Sequence, residues 1–190
     1  MHDAQRAAAK APGALFVFSG EFVTSFGIPA ANKQELIERI LEQRASLEAL
    51  LSPLTVEQAT EPLAPGGWSV KDHIAHLTAW AGKAIAALQD APVYQGLGLI
   101  RPPADPRDYE AINVVLHDRD KYLSLEDVVE AFGRRHSELL GALMLASEMD
   151  LRRPADEGEI DGRTVLAVVA ANTYEHSIEH EGWIREKLAP

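Results

Sequence analysis

Residues 172–183 read Asn172-Thr173-Tyr174-Glu175-His176-Ser177-Ile178-Glu179-His180-Glu181-Gly182-Trp183, which sets two histidines four residues apart inside a long helical pattern. On an α-helix, positions i and i+4 lie about 40° apart around the axis and one turn apart along it, so both imidazoles can reach one ion. From about Arg163 to Lys187 the pattern predicts one helix, with Val165, Val169, Asn172, His176, His180 and Trp183 close to one line. An isolated HxxxH is ordinarily two polar residues on a solvated face. Here the pair shares the line of Val165, Val169 and Trp183, where a core-facing stripe belongs, and burying two imidazoles there without partners is costly. Metal ligation removes that cost by using the nitrogen lone pairs.

Two ligands hold an ion poorly, so a third must come from elsewhere. Working upstream, Ser124 with Asp127 caps a third predicted helix, whose stripe is Leu125, Val128, Val129, Phe132, Leu139, Leu140 and Leu143. Asp108 to about Arg119 predicts a short helix, and Pro92–Arg107, rich in proline, predicts a long crossover or lid. Before it, Gly67-Trp68-Ser69-Val70-Lys71-Asp72-His73-Ile74-Ala75-His76-Leu77-Thr78-Ala79-Trp80 opens a second helix, capped by Ser69 and Asp72, with Val70, Ile74, Leu77, Ala81, Ala84 and Leu88 as its apolar face. This helix offers His76 as third ligand, and also His73, which lies nearer the centre of the Val70/Leu77 face.

Asn32 with Glu35 resembles a capping box for a first helix that ends at Pro53, and Thr55–Gln58 predicts a turn of helix after it. Residues 1–31 carry no sustained period and several breakers, and read as a loosely ordered arm; residues 32–190 form the domain. The segment from Glu148 to Asp161 is polar. Four long amphipathic helices without convincing strands predict an all-α fold, a four-helix bundle with at least one long connection.

With 29 acidic against 18 basic side chains and a net charge of −11, the surface is expected to repel phosphate backbones and anionic lipid, so neither nucleic acid nor membrane is an expected partner. The chain has no cysteine, so any metal must be held by nitrogen and oxygen. The apolar run Ala14–Phe18 is too short to span a bilayer, which points to a soluble, cytoplasmic protein. Among the remaining candidates, His136 reads as a hydrogen-bonded core residue, Trp80 and Trp183 as core packing that also walls a pocket, and Lys83 as a solvated amine. His2 and His117 have no supporting context. Glu179 reads as a carboxylate beside the histidines, in the outer shell or facing solvent, rather than as a general base.

The segment Gly67–Leu77, with its Trp-Ser-Val opening and His76-Leu77 pair, resembles the second-helix motif of the DinB-like superfamily, and His176-Ser177-Ile178-Glu179-His180-Glu181-Gly182 resembles that family's fourth-helix HxxxH pattern. The likeness runs from about Asn32 to Leu188. Trp183 stands where many members carry glutamine, and the middle of the chain, including Asp108–Asn113 and Tyr122–Asp127, is more similar to the ClbS/DfsB-like branch. The resemblance implies a DinB-like four-helix bundle and frequently a homodimer. It also implies a divalent ion (zinc, nickel or iron) on His76, His176 and His180, with open positions for water or a thiolate.

Two functions follow as expectations. One is a metal-dependent enzyme that transfers a low-molecular-weight thiol to a small electrophilic substrate, or hydrolyses it. The other is a resistance-type bundle that binds or sequesters a small molecule, its metal structural or absent.

Overall fold

The long helices before the C-terminal one each begin at a side chain that caps them. In the computed structural model, which describes residues 30–64, 67–155 and 162–189, Asn32 Oδ1 accepts from the Glu35 amide at 3.0 Å and starts α1 (Lys33–Leu51). Thr55 and Gln58 form a reciprocal capping box on α2 (Val56–Thr60), as do Ser69 and Asp72 on α3 (Val70–Gln89). The short α4 (Val93–Gly96) follows, then α5 (Tyr109–Asp120), capped by Asp108, and α6 (Leu125–Leu145), capped by Ser124. The polar segment after Ser147 contains a further capped turn, α7 (Glu148–Arg152), and the chain ends in α8 (Val165–Ala171) and α9 (Tyr174–Leu188). Among the described residues the fold is all-α, with only two isolated bridges, Pro62 to Ser69 and Pro154 to Thr164, tying connectors to helix starts. No described helix is long and apolar enough to cross a membrane.

The last predicted helix is two helices. Asn172 Nδ2 donates to the Val168 carbonyl at 2.7 Å and Thr173 Oγ1 to the Val169 carbonyl at 2.6 Å, and at Thr173 the backbone leaves helical angles (φ −128°, ψ −103°). Short polar side chains that bond to backbone carbonyls in this way compete with the helix ladder and bend or end it.

The second difference concerns α3. Fifteen of its twenty residues are buried, so it is covered on several sides and does not present one apolar face. It packs against α6 and α8 on the bundle side and against α4 and α5 on the other. One core cluster joins Leu36 and Ile40 of α1, Ala84 and Ile85 of α3, Leu139 and Leu143 of α6, Leu151, Val165 and Val169, while a second gathers Leu47, Ile74, Leu77, Val128 and Phe132. A third, Trp80, Leu97, Ile112 and Leu116, lies under the connector and α5. Each such fully buried Leu or Ile contributes roughly 1.5–3 kcal/mol relative to exposure, which is what holds α3 as the central post. Val129, assigned to the α6 stripe from its period, is 46% exposed. The arm expected over residues 1–31 lies outside the described residues except for Ala31 and Ala30, and Ala30 is buried in the first cluster.

Candidate functional site

The capping box at Ser69 fixes where α3 starts, so His73 and His76 fall on its first two turns. The break at Asn172–Thr173 likewise restarts the chain as α9, with His176 in the first turn and His180 one turn later. The two helix starts face each other, and four histidines meet between them. His76 Nε2 lies 3.2 Å from His176 Nε2, His176 Nε2 lies 3.0 Å from His180 Nε2, and His73 Nδ1 lies 2.7 Å from His180 Nδ1. One ring nitrogen from each of His76, His176 and His180 falls within 4.8 Å of the others, and all three rings are buried.

Burial dominates the protonation of these rings. It pushes His176 down to about 3, helped by the charges of His73 and Lys83, and His73 down to about 4, with Asp72 opposing. Burial, reinforced by the neighbouring histidines, also holds His76 and His180 well below the ordinary imidazole value. All four are therefore neutral near pH 7, the form in which imidazole donates a lone pair to a metal.

The donor set fits an ion better than it fits protons. His176 Nε2 lies at hydrogen-bond distance from two other Nε2 atoms, yet a neutral imidazole nitrogen has either one proton to give or one lone pair to receive with. It cannot serve both neighbours with a linear bond, whereas a cation takes one lone pair from each ring. Nitrogens about 2.0–2.1 Å from a tetrahedral zinc lie roughly 3.4 Å apart, close to the separations seen. His76 Nδ1, the ring nitrogen turned away from His176, is buried with no hydrogen-bond partner among the described residues.

Aromatic rings enclose the histidines. Trp68 lies against His73 and His76 with ring centroids 5.5 and 5.0 Å away, Trp80 lies 6.0 and 6.1 Å from His76 and His176, and Trp183 packs on His180 at 4.7 Å. Trp80 Nε1 donates to Asn113 Oδ1 at 3.0 Å, which sets its ring. His117, without a role from sequence, stacks on Trp68 at 5.3 Å and 2° and lies 3.8 Å from the Asp72 carboxylate. No short-range sequence signal marks Asn113 or His117, because α5 reaches the site from another part of the chain.

Of the other candidates, His136 Nδ1 donates to the Phe132 carbonyl at 3.0 Å as a core histidine, and His2 lies outside the described residues. Glu179 is half-buried, and burial raises its carboxyl pKa, while the side chains that converge are those of His76, His176 and His180. Lys83 is not a solvated amine: it is 4% exposed, with Nζ 5.5 Å from the Trp80 centroid and 5.3 Å from that of Tyr109. The period of α3 could not reveal this, since α4 and α5 cover the face on which Lys83 sits. Glu181 also went unmarked. It is buried and accepts from Gln43 and Ser46 of α1 and from Arg185, which holds α9 against α1.

A model of the DinB superfamily matches residues 39–184. No curated protein matches the sequence at a significant level. Among solved structures, a protein from Streptococcus pneumoniae is 17% identical, covers 82% of this chain and 89% of its own, and superposes with a TM-score of 0.67. A protein from Clostridium difficile 630 is 16% identical, with coverage of 84% and 98% and a TM-score of 0.68. The colibactin self-resistance protein ClbS, in complex with a dsDNA, is 16% identical, with coverage of 86% and 98% and a TM-score of 0.67. This last finding overturns the exclusion of nucleic acid drawn from net charge, since a protein of the same fold is held on a duplex. The physical reason is that a charge of −11 is a sum over the whole surface, while phosphate contacts are made by a few locally placed donors.

Proposed function

From the premise that this chain belongs to the DinB superfamily, we propose that His76, His176 and His180 hold a divalent metal ion. The site then promotes attack on a small electrophilic molecule, by transfer of a low-molecular-weight thiol or by hydrolysis. The observation that carries this reading is the meeting of three buried, neutral imidazoles whose nitrogens lie within 4.8 Å of one another. A divalent ion with three uncharged protein ligands keeps its full charge and supplies the means to lower the pKa of a thiol or water to near neutrality. Zinc, nickel and iron all accept imidazole nitrogen.

The chain's own residues have three tasks. His73 orients His180: with Nε2 of His180 turned to the other two rings, its Nδ1 proton is donated to His73 Nδ1 across 2.7 Å, and this fixes tautomer and ring direction together. Trp68, Trp80 and Trp183 exclude water from the rings and lower the local dielectric. The chain has no cysteine, so a thiol nucleophile must come from a small molecule.

Elemental analysis of protein purified without chelator or histidine tag tests the first half of the proposal, with about one divalent ion per chain expected. Depletion of an electrophile such as 1-chloro-2,4-dinitrobenzene, with and without glutathione, bacillithiol or mycothiol, tests the second. Chelation should remove the rate. Identical rates with and without metal would sink the catalytic reading.

A second reading is a resistance-type protein that binds a small molecule without turnover, and a cavity of about 190 Å³ beside Trp80 favours it. Depletion that stops at one equivalent would select it. Duplex binding belongs in the same experiments, because ClbS is held on DNA.

A further inference from the structure

The cavity beside Trp80 is bounded by α3, α4, the connector that follows it and the start of α5. At about 190 Å³ it has room for roughly six waters at their liquid volume, or for one substituted benzene ring. It shares a wall with the histidine site: Trp80 lines it and also lies 6.0 and 6.1 Å from His76 and His176. The rest of the wall is mostly apolar, with Val93, Leu97, Ile112 and three prolines of the connector. Tyr94 and Tyr109 add two aromatic rings.

The charge in this wall is already engaged. Lys83 lines the cavity, but its Nζ lies 5.5 Å from the Trp80 ring centroid and 5.3 Å from that of Tyr109, and its charge acts on His176. No carboxylate is among the described residues lining the cavity. A cationic ligand would meet the ammonium and find no opposite charge, and an anion would give up its hydration for an ammonium that already has partners. A neutral ring loses no such hydration and gains apolar contact on entry, which is why apolar cavities of about 150 Å³ take up benzene. We propose that this cavity binds one uncharged, single-ring aromatic body. That this body is the non-reacting part of the electrophile rests on the catalytic reading above. Its binding then holds the electrophile beside Trp80, next to the histidines, through contacts remote from the reacting bond.

Calorimetric titration of the full chain with nitrobenzene, benzoate and benzylammonium tests the binding, with the metal content of each sample measured alongside. Nitrobenzene should bind saturably at one site, and each ion at least tenfold more weakly. Val93→Trp puts an indole at the half-buried start of α4 and fills the cavity from that side, so it should lose at least tenfold in nitrobenzene affinity with metal content unchanged. In turnover it should lower the preference for 1-chloro-2,4-dinitrobenzene over iodoacetamide, an electrophile without a ring, by at least tenfold in kcat/KM. The three-ligand comparison on the unaltered protein does not depend on that variant folding. Absence of nitrobenzene binding at millimolar concentration, equal binding of either ion, or undiminished nitrobenzene binding by a folded Val93→Trp variant would each overturn the proposal. Saturable nitrobenzene binding without metal-dependent turnover would support it while sinking the catalytic reading alone, and turnover without nitrobenzene binding would do the reverse.

Discussion

Gly82 of α3 and Gly96 of α4 touch backbone to backbone: a Cβ on Gly82 would stand 2.0 Å from the Gly96 carbonyl oxygen, and one on Gly96 would stand 2.3 Å from that of Gly82. Neither contact can be relieved by turning a side chain, so adding a methyl must move α4. That helix carries Val93 and Tyr94 in the cavity wall. Gly82→Ala is expected to cost about 2–3 kcal/mol by overpacking, and to lower Tm by roughly 4–12 °C in a chain of this size. A variant that melts with the unaltered protein would show that the crossing yields freely.

The four histidines are expected to separate into two classes. His76→Ala, His176→Ala and His180→Ala each leave two imidazoles and should abolish stoichiometric metal binding. His73→Ala removes the acceptor for His180 Nδ1 but no proposed ligand, so it should keep one ion per chain at saturation with affinity roughly 10–100-fold weaker. Metal titration followed by Co(II) absorption distinguishes the classes. If His73→Ala alone empties the site, the third ligand is His73, the residue that the period of the helix favours.

Glu181 should matter for stability and little for metal. Its buried carboxylate accepts from Ser46 Oγ at 2.7 Å, from Gln43, and from Arg185 Nε at 2.7 Å, joining α9 to α1. Glu181→Ala strands the α1 donors, at a cost of about 2–3 kcal/mol for hydrogen bonds to a charged group. Thermal melts should fall by roughly 4–12 °C. An unchanged melt would mean that water replaces the carboxylate without loss.

The helix starts at Asn32, Ser69, Asp108 and Ser124 are legible in the sequence because a cap and its partner lie within four residues of each other. The histidine spacing is legible for the same reason, as is the hydrogen bond that makes His136 a core residue. Properties fixed by chain-distant neighbours are not. Lys83 has the sequence setting of a solvated lysine until α4 and α5 cover it, and Asn113 and His117 enter the site through tertiary packing. The helix break is an intermediate case. Asn172 and Thr173 are weak helix formers, but only their bonds to Val168 and Val169 turn that tendency into a break. Net charge was the least informative quantity, because it carries no information about where charges lie.

The last expectation concerns pH. In the metal-free protein the folded-state pKa values of His73, His76, His176 and His180 are all lowered, chiefly by burial, while the unfolded chain titrates near 6.5. Between those values the unfolded state binds more protons, so stability is complete above about pH 6.5 and is lost as pH falls through the window down to about 4 for His73 and about 3 for His176. Each ring contributes a slope of about 1.4 kcal/mol per pH unit there. Lys83 acts in the same direction on His176, and Asp72 acts against it at His73. His136 adds a loss of the same sign, again mainly from burial. Asp72 titrates below most of this window: burial raises its carboxyl pKa, but bonds to Lys71 and Ser69 bring it below its ordinary value. Four rings together remove roughly 5 kcal/mol per unit, against a typical total of about 5–15 kcal/mol, so metal-free protein should unfold between about pH 5.5 and 3.5. Urea titrations at pH 8.5, 7.5, 5.5 and 5.0 should give midpoints that agree at the two higher values and fall steeply below them. Midpoints equal at pH 7.5 and 5.0 would mean that water reaches the rings and that the four histidines are not buried together.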